Sequence, residues 1–185
     1  MKSRRFLWSA GAIVLLAIAA LFTWSYRQGR ESRFDHLILT ASGRYEVDPA
    51  LVKAVVWRES RFQAFARGRA GELGLMQIRA AAAGEWAAAE RLSQFEFEQL
   101  RDPATNTLAG TWYLARLLKR YQTTDDPVAY ALADYNAGRR NVLRWNTSGA
   151  LTNASEFLRQ ITFPGTRDYI LSVRQRRDHY RPQFQ

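Results

Sequence analysis

Residues 48–62 read DPALVKAVVWRESRF, and this stretch predicts a buried helix with one carboxylate near its C-terminal end. Asp48 followed by Pro49 is typical of a helix start, because aspartate caps free backbone N–H groups and proline suits the first turn. Apolar side chains then recur at helical spacing at Leu51, Val52, Val55 and Val56. The stretch therefore predicts a helix that packs an apolar face into the core of a helical domain.

Glu59 continues that apolar face, since it follows Val56 by three residues and Val55 by four. A carboxyl group on a buried helix face is difficult to ionise, so its pKa rises toward the range in which it donates a proton near neutral pH. The simpler interpretation is a glutamate at a helix end that pairs with Arg58 or Arg61. The position of Glu59 in this helix leaves both interpretations open.

The composition is typical of one globular domain, because 185 residues with 47% hydrophobic and 24% charged side chains support one core. The chain contains no cysteine and two histidines, His36 and His179. Disulfides and thiolate metal sites are thereby excluded and a catalytic zinc centre is disfavoured, so we predict neither a metal nor a cofactor. The net charge of +10 predicts an anionic partner surface, such as a membrane or a cell-wall polymer.

The N-terminal region carries nineteen consecutive uncharged residues, Phe6 to Trp24, between basic flanks. This length is enough for one membrane-spanning helix, and the basic leader favours a cytoplasmic N-terminus. A cleaved signal peptide is the alternative, because residues 17–19, Ala-Ile-Ala, fit a small-x-small cleavage site. Both interpretations export the rest of the chain. We predict a leader, anchor and linker at 1–30 and one exported domain at 31–185.

The exported region is predicted to be all-α. Asp102-Pro103 and Asp126-Pro127 repeat the helix start at Asp48-Pro49, and strand-like alternation is weak. We expect helices at 34–42, 49–59, 73–88, 93–100, 103–120, 127–135, 139–146, 154–160 and 167–181.

Two further motifs lie near predicted helix ends. Residues 74–77 read Gly-Leu-Met-Gln, and residues 134–138 read Asp-Tyr-Asn-Ala-Gly. Tyrosine and asparagine side chains can hydrogen-bond an acetamido sugar or orient a carboxyl group. Taken singly, the first motif is typical of core packing beside a glycine and the second of a helix C-terminus.

Together, these motifs resemble the soluble-lytic-transglycosylase (SLT) domain of membrane-bound lytic murein transglycosylases. The order and spacing agree at Glu59-Ser60, Gly71, Gly74-Leu75-Met76-Gln77, Asp102-Pro103 with Asn106, Tyr113-Leu114, and Tyr135-Asn136-Ala137-Gly138. The resemblance runs from about Val47 to Tyr180. In the segment that closes such domains it includes Ile161, Phe163, Thr166-Arg167 and Tyr169.

The resemblance implies an all-α, goose-lysozyme-like fold with a glycan cleft between helical lobes. It implies that Glu59 is the catalytic acid and base, and that Tyr135 holds and polarises the Glu59 carboxyl group. It also implies a set of substrate-binding residues, which are Ser60, Met76, Gln77, Tyr135 and Asn136. The implied chemistry requires no metal and no cofactor.

The implied reaction is the non-hydrolytic cleavage of the β-1,4 bond between N-acetylmuramic acid and N-acetylglucosamine in peptidoglycan, with a 1,6-anhydro ring on the product. The implied location is the bacterial cell envelope, with an inner-membrane anchor and the catalytic domain in the periplasm. The expected partners are peptidoglycan strands, the membrane through the N-terminal helix, and cell-wall or secretion machinery. A nucleic-acid partner is disfavoured, because acidic and apolar residues interrupt the basic C-terminal helix and because the domain is exported.

Three features depart from the usual SLT pattern. Gly68 stands where many relatives have a substrate-binding serine, and residues 159–167 lack the two acids and the first proline of the usual closing motif. Asp134 stands where alanine is common. The sequence allows Asp134 to be solvated, to raise the pKa of Glu59, or to act as a second carboxylate, and of these we expect it to be solvated. Two alternative functions therefore remain, namely a lysozyme-type hydrolase that uses Asp134 and a non-catalytic wall-binding or assembly protein.

Overall fold

The computed structural model describes Ile18, Leu21, Thr23 and residues 29–185, and its compact unit at 36–185 contains the candidate site. The helices of this described region are α1 (Asp35–Tyr45), α2 (Pro49–Ser60), α3 (Ala80–Ala89), α4 (Pro103–Arg120), α5 (Pro127–Ala137), α6 (Arg139–Trp145), α7 (Ala154–Gln160) and α8 (Pro164–Tyr180). Short 3-10 helices lie at Phe97–Arg101, Ser148–Leu151 and Arg181–Gln183. Within the described residues the only β-type pairing is two isolated bridges, so the predicted helical class is confirmed there.

Three of the helices begin as the sequence predicts, with aspartate followed by proline. The side chains of Asp48, Asp102 and Asp126 each accept a hydrogen bond from a backbone N–H two or three residues further along, at 2.9, 2.8 and 3.3 Å. The prolines occupy the first turns of α2, α4 and α5, where a missing N–H leaves no helical bond unmade. The starts of these helices are therefore determined locally.

Helix α2 lies in the core and carries the predicted carboxylate. Its apolar side chains are at most 1% exposed at Leu51, Val52, Val55 and Val56. α2 packs mainly against α8, while α5 packs against α4, α6 and α8. Each buried valine or leucine contributes about 1.5–3 kcal/mol to folding, so this packing holds the helix face that continues to Glu59.

The predicted helix at 73–88 is wrong in its first part, because α3 begins only at Ala80. Residues 66–78 form a loop instead. Gly74 has a φ of 77° and Gln77 a φ of 48°, and both values lie in the left-handed region that a right-handed helix does not use. The Gly-Leu-Met-Gln motif is therefore a loop motif.

Asn106, a buried residue of α4, holds this loop in place. Its side-chain oxygen accepts from the Met76 N–H at 2.8 Å, and its side-chain nitrogen donates to the carbonyls of Leu73 and Leu100 at 2.8 and 3.0 Å. Backbone groups that a helix would have paired are thus satisfied by one side chain. Gly74 is required beside it, because a Cβ there would overlap the Asn106 amide.

The predicted helix at 93–100 is also wrong in type, since this region forms only the short 3-10 helix at Phe97–Arg101. Glu96 and Gln99 form a reciprocal capping box at its start. Asp102 caps the start of α4, so the 3-10 helix before it ends at Arg101.

The predicted anchor at Phe6 to Trp24 falls largely outside the described residues. Among the residues that are described, no helix combines the length and the apolar character needed to cross a membrane. The division of the chain near residue 30 stays a prediction.

Candidate active site

Glu59 lies in the last turn of α2 and is partly buried. The helix ends there because Arg61 adopts a left-handed conformation with a φ of 52°, while its N–H still donates to the carbonyl of Trp57 at 3.2 Å. The phenol of Tyr169, from α8, donates a hydrogen bond of 2.6 Å to Glu59 Oε1. The contact between α2 and α8 therefore fixes the orientation of the carboxyl group.

The surroundings of Glu59 raise its pKa from an ordinary 4.5 to about 7, mainly because burial disfavours the charged form. The hydrogen bond from Tyr169 and the charges of Arg58 and Arg79 lower this pKa, and the charge of Glu72 raises it. Near neutral pH both protonation states of Glu59 are populated. One carboxyl group can therefore donate a proton and then accept one.

Tyr169 is the functional residue to which the sequence analysis assigned no role, although it lies in the closing segment. Burial raises the pKa of its phenol well above 10, and the neighbouring charge of Glu59 raises it further. The phenol therefore stays protonated and remains a hydrogen-bond donor. The only local signal for its position is the apolar spacing of Tyr169, Ile170 and Val173 along α8, all of which are buried.

Tyr135 does not hold the Glu59 carboxyl group, and the prediction of that role is corrected here. Its O–H donates to the backbone carbonyl of Met76 at 2.8 Å. Burial raises the pKa of Tyr135 well above 10, and the charge of Glu59 raises it further. Its ring packs against Tyr113 with the ring centroids 5.5 Å apart.

Ser60 and Met76 lie beneath the site, with side chains that are 4% and 0% exposed. Ser60 Oγ donates to the Val56 carbonyl at 3.2 Å, within α2. The Met76 side chain packs against Gly110 so closely that a Cβ at that glycine would overlap it. Both side chains are directed into the protein interior, and the part they take in substrate binding stays a prediction.

Gln77 and Asn136 line a pocket of about 210 Å³ together with Tyr135. The Gln77 amide nitrogen donates to the carbonyls of Ala66 and Gly74 at 3.1 and 2.9 Å, so its amide oxygen is the atom directed away from these carbonyls. Asn136 is exposed, and its amide oxygen accepts from Thr166 Oγ1 at 2.8 Å. The structure thus brings three of the predicted residues together in one concave surface.

A larger groove of about 630 Å³ lies elsewhere, between the end of α1 and the surface of α4. Its lining includes Tyr45, Trp112 and Lys119 and none of the predicted site residues. Volume alone therefore does not identify the site in this protein.

Asp134 is buried, with 1% exposure, so the expectation that it is solvated is wrong. Its Oδ2 accepts hydrogen bonds from Arg120 and from the Tyr121 phenol, both at 2.7 Å. Burial raises the pKa of Tyr121, and its hydrogen bond to Asp134 raises it further. The carboxylate is therefore engaged by two donors at the end of α4, and the charges that shift the pKa of Glu59 come from other residues.

The closing segment at 159–167 packs against the site without the usual acids. Trp145 Nε1 donates to Thr162 Oγ1 at 2.9 Å, and the ring of Phe163 meets the Trp145 ring edge-on at 5.1 Å. Arg167 donates to the Ile161 carbonyl at 2.6 Å. The Thr166 hydroxyl group donates to the Asn136 amide oxygen, so this segment lies beside the pocket.

The described residues contain no group of three or more His, Asp or Glu side chains placed to hold a metal ion. The site offers proton transfer at Glu59, a fixed phenol donor at Tyr169, and amide groups at Gln77 and Asn136. These are groups suited to a polar, amide-bearing substrate.

The fold and the site define a helical domain with a desolvated glutamate, Glu59, at a helix end and a pocket lined by Gln77, Tyr135 and Asn136. The chain belongs to the Transglycosylase SLT domain family, which matches residues 36–157. This assignment confirms the family resemblance that the motifs indicate.

Two relatives and one solved structure illustrate the similarity. The chain is 38% identical over 116 residues to membrane-bound lytic murein transglycosylase F of Desulfosudis oleivorans, covering 61% of this chain and 24% of that protein. It is 30% identical over 148 residues to membrane-bound lytic murein transglycosylase C of Edwardsiella ictaluri, covering 74% of this chain and 40% of that protein. The crystal structure of the 70 kDa soluble lytic transglycosylase of Escherichia coli matches with a TM-score of 0.72 and 26% identity, covering 81% of this chain and 24% of that one. The chain thus spans less than half the length of each of these proteins.

Proposed function

We propose that this protein is a peptidoglycan lytic transglycosylase that cleaves the β-1,4 bond between N-acetylmuramic acid and N-acetylglucosamine and leaves a 1,6-anhydromuramic acid end. The observation that carries the proposal is the Glu59 carboxyl group, with a pKa raised to about 7 and one oxygen held by Tyr169. Family membership and the names of the relatives support the reaction class.

In the first step, protonated Glu59 donates its proton to the oxygen that bridges the two sugars. Because Oε1 accepts from Tyr169, Oε2 is the oxygen that carries this proton. The C1–O bond breaks, the leaving sugar departs with a hydroxyl group, and the N-acetyl oxygen of the muramic acid stabilises the positive charge at C1. Substrate-assisted enzymes of this kind are exceptions to the two-carboxylate pattern of glycosidases.

In the second step, the Glu59 carboxylate accepts the proton of the C6 hydroxyl group, and the C6 oxygen attacks C1. The new C1–O6 bond closes the anhydro ring and Glu59 returns to its protonated form, so no water is consumed. A pKa close to the working pH suits both transfers. Tyr169 keeps the same carboxyl oxygen in place throughout.

Gln77 and Asn136 are the proposed contacts to the sugar amides, because both line the pocket and both carry amide groups that can donate and accept hydrogen bonds. Tyr135 lines the same pocket and connects it to the 66–78 loop through the Met76 carbonyl. Ser60 and Met76 are proposed to support the site from below. A hydrolase that uses Asp134 finds no support, since Arg120 and Tyr121 engage that carboxylate.

We further propose that the domain works in the bacterial cell envelope, held by the N-terminal segment to the inner membrane and facing the periplasm. The apolar run at 6–24, the basic residues beside it and the membrane-bound relatives support this location. Peptidoglycan is the proposed partner, and wall-building or secretion machinery would recruit the same chemistry.

The test is mass spectrometry of the muropeptides released from purified sacculi by the detergent-solubilised full-length protein. We expect products lighter than their hydrolytic counterparts by one water molecule, and none from Glu59→Gln. Glu156→Gln is the matched control, because Glu156 is a surface carboxylate paired with Arg159 on α7 and should leave turnover unchanged. Reducing-end products would indicate a hydrolase, and a folded wild-type protein that binds sacculi without releasing product would indicate the assembly role.

A further inference from the structure

A second carboxylate, Glu72, lies in the loop that builds the site. Its Oε1 accepts a hydrogen bond from Arg79 Nε at 2.9 Å and lies 2.7 Å from Nη2 of the same guanidinium. Its Oε2 accepts a hydrogen bond from the Ala70 N–H at 3.0 Å. The Glu72 side chain is only 15% exposed, whereas that of Arg79 is 67% exposed. The carboxylate is therefore held from two sides, by a side chain and by a backbone N–H.

Gly68 provides the space that this carboxylate occupies. A Cβ at residue 68 would overlap Glu72 Oε2 and would lie 2.8 Å from Gln77 Oε1. The Gly68 N–H also donates to the Glu72 carbonyl at 2.8 Å, so the two residues face each other across the turn. A side chain at 68 and the carboxylate at 72 therefore compete for the same space.

Two hydrogen-bond acceptors meet above Gly68. Because the Gln77 amide nitrogen is engaged by the Ala66 and Gly74 carbonyls, the amide cannot turn to offer Glu72 a donor. Gln77 Oε1 and Glu72 Oε2 thus share this space as acceptors. Neighbouring acceptors are stabilised by an N–H or O–H group placed between them.

Glu72 is ionised under the conditions in which Glu59 carries its proton. Burial alone would raise the pKa of Glu72, but hydrogen bonds from its own backbone N–H, from Arg79 and from Ala70 lower it below its ordinary value. An ionised carboxylate makes charge-assisted hydrogen bonds, which are stronger than neutral ones. It accepts such bonds and donates none.

We propose that Glu72 is a glycan-positioning residue, whose carboxylate, together with Gln77 Oε1, accepts hydrogen bonds from an N–H or O–H group of the sugar bound beside Glu59. It takes the place of a side chain at residue 68. The inference rests on the proposed function only in taking the substrate to be an N-acetylated glycan. It also implies that anionic substituents at this point of the sugar are disfavoured, because they would face a carboxylate.

Binding measured without turnover tests the inference apart from the catalytic proposal. We would titrate the full-length Glu59→Gln protein with an N-acetylglucosamine oligosaccharide by calorimetry and repeat the titration with Glu72→Gln added. Loss of a charge-assisted hydrogen bond is expected to weaken binding about tenfold or more. Glu156→Gln in the same background is the control, because it removes a surface carboxylate paired with Arg159 and should leave the dissociation constant unchanged.

A swap of residues 68 and 72 separates positioning from a general effect on folding. In the Glu59→Gln background, Gly68→Ser alone should weaken binding because its side chain meets the carboxylate, and Glu72→Ala alone should weaken it because the acceptor is lost. The double change Gly68→Ser with Glu72→Ala should recover affinity to within a few-fold, since the serine hydroxyl fills the vacated space. Thermal unfolding of each variant confirms that it is folded.

Unchanged affinity in Glu72→Gln, or a double variant that binds no better than Glu72→Ala, would overturn the inference. Absence of anhydro product from the wild-type protein would instead overturn the proposed function. The two failures are read from different measurements.

Discussion

Glu59→Gln is expected to make the folded protein more stable at alkaline pH while abolishing turnover. The Glu59 carboxyl group has an ordinary pKa of 4.5 and a pKa of about 7 in the folded protein, mainly because burial opposes its charge. Ionising it in the folded state therefore costs about 3 kcal/mol more than in the unfolded chain. Glutamine has nearly the same shape as the protonated side chain, keeps an acceptor for Tyr169 and avoids this cost.

The sign of the effect follows from proton binding. The folded protein holds the Glu59 proton more tightly than the unfolded chain does, so the native carboxyl group lowers stability as pH rises from about 4.5 to about 7, and the loss is complete above that range. The stability gained by Glu59→Gln should be about 3 kcal/mol near pH 8 and about 1 kcal/mol or less near pH 5.

The assay is urea unfolding of the detergent-solubilised wild-type and variant proteins at both pH values, followed by far-ultraviolet circular dichroism. Glu156→Gln is the control, because hydrogen bonding to Arg159 lowers the pKa of Glu156, and its removal should bring no gain at alkaline pH. A Glu59→Gln variant that is equally or less stable than the wild type near pH 8 would refute the conclusion that Glu59 is desolvated.

Three further predictions concern the contacts around the site. Tyr169→Phe removes the 2.6 Å hydrogen bond that lowers the pKa of Glu59, so the pH optimum of turnover should move about one unit toward alkaline pH; an unchanged pH profile would contradict that role. Asp134→Ala leaves the Arg120 guanidinium without its partner and should lower the free energy of unfolding by about 3–5 kcal/mol, measured by urea unfolding, with any remaining product still in anhydro form; a switch in product type would restore the hydrolase interpretation. Asn106→Ala leaves buried backbone groups of the loop unpaired and should lower the free energy of unfolding by about 2–5 kcal/mol, measured in the same way. A loss below about 1 kcal/mol would show that the loop structure does not depend on Asn106.

The parts of the fold that could be predicted from the sequence are those determined by neighbouring residues. An aspartate that caps its own helix and a proline in the first turn act within a few residues, which is why the starts of α2, α4 and α5 are confirmed. The apolar spacing of α2 predicted its buried face, and the burial of Glu59 followed from the same spacing.

The parts that could not be predicted depend on contacts between distant segments. Tyr169 lies 110 positions after Glu59 in the chain, and no local pattern distinguishes it from a tyrosine that only packs in the core. The local sequence around Asp134 does not indicate that Arg120 and Tyr121 donate hydrogen bonds to its carboxylate. The predicted helix at 73–88 wrongly includes residues 73–78, because their apolar pattern does not show that Asn106, from another helix, pairs the Met76 N–H and the Leu73 carbonyl.

The fate of oxygen during cleavage tests the central claim most directly, namely that Glu59 passes a proton to the leaving sugar and then takes one from the C6 hydroxyl group. Sacculi would be digested by the detergent-solubilised full-length protein in water labelled with heavy oxygen, and the released muropeptides would be analysed by mass spectrometry. We expect anhydro ends that contain no heavy oxygen. Reducing ends that carry heavy oxygen would show that water attacks C1 and would contradict this claim.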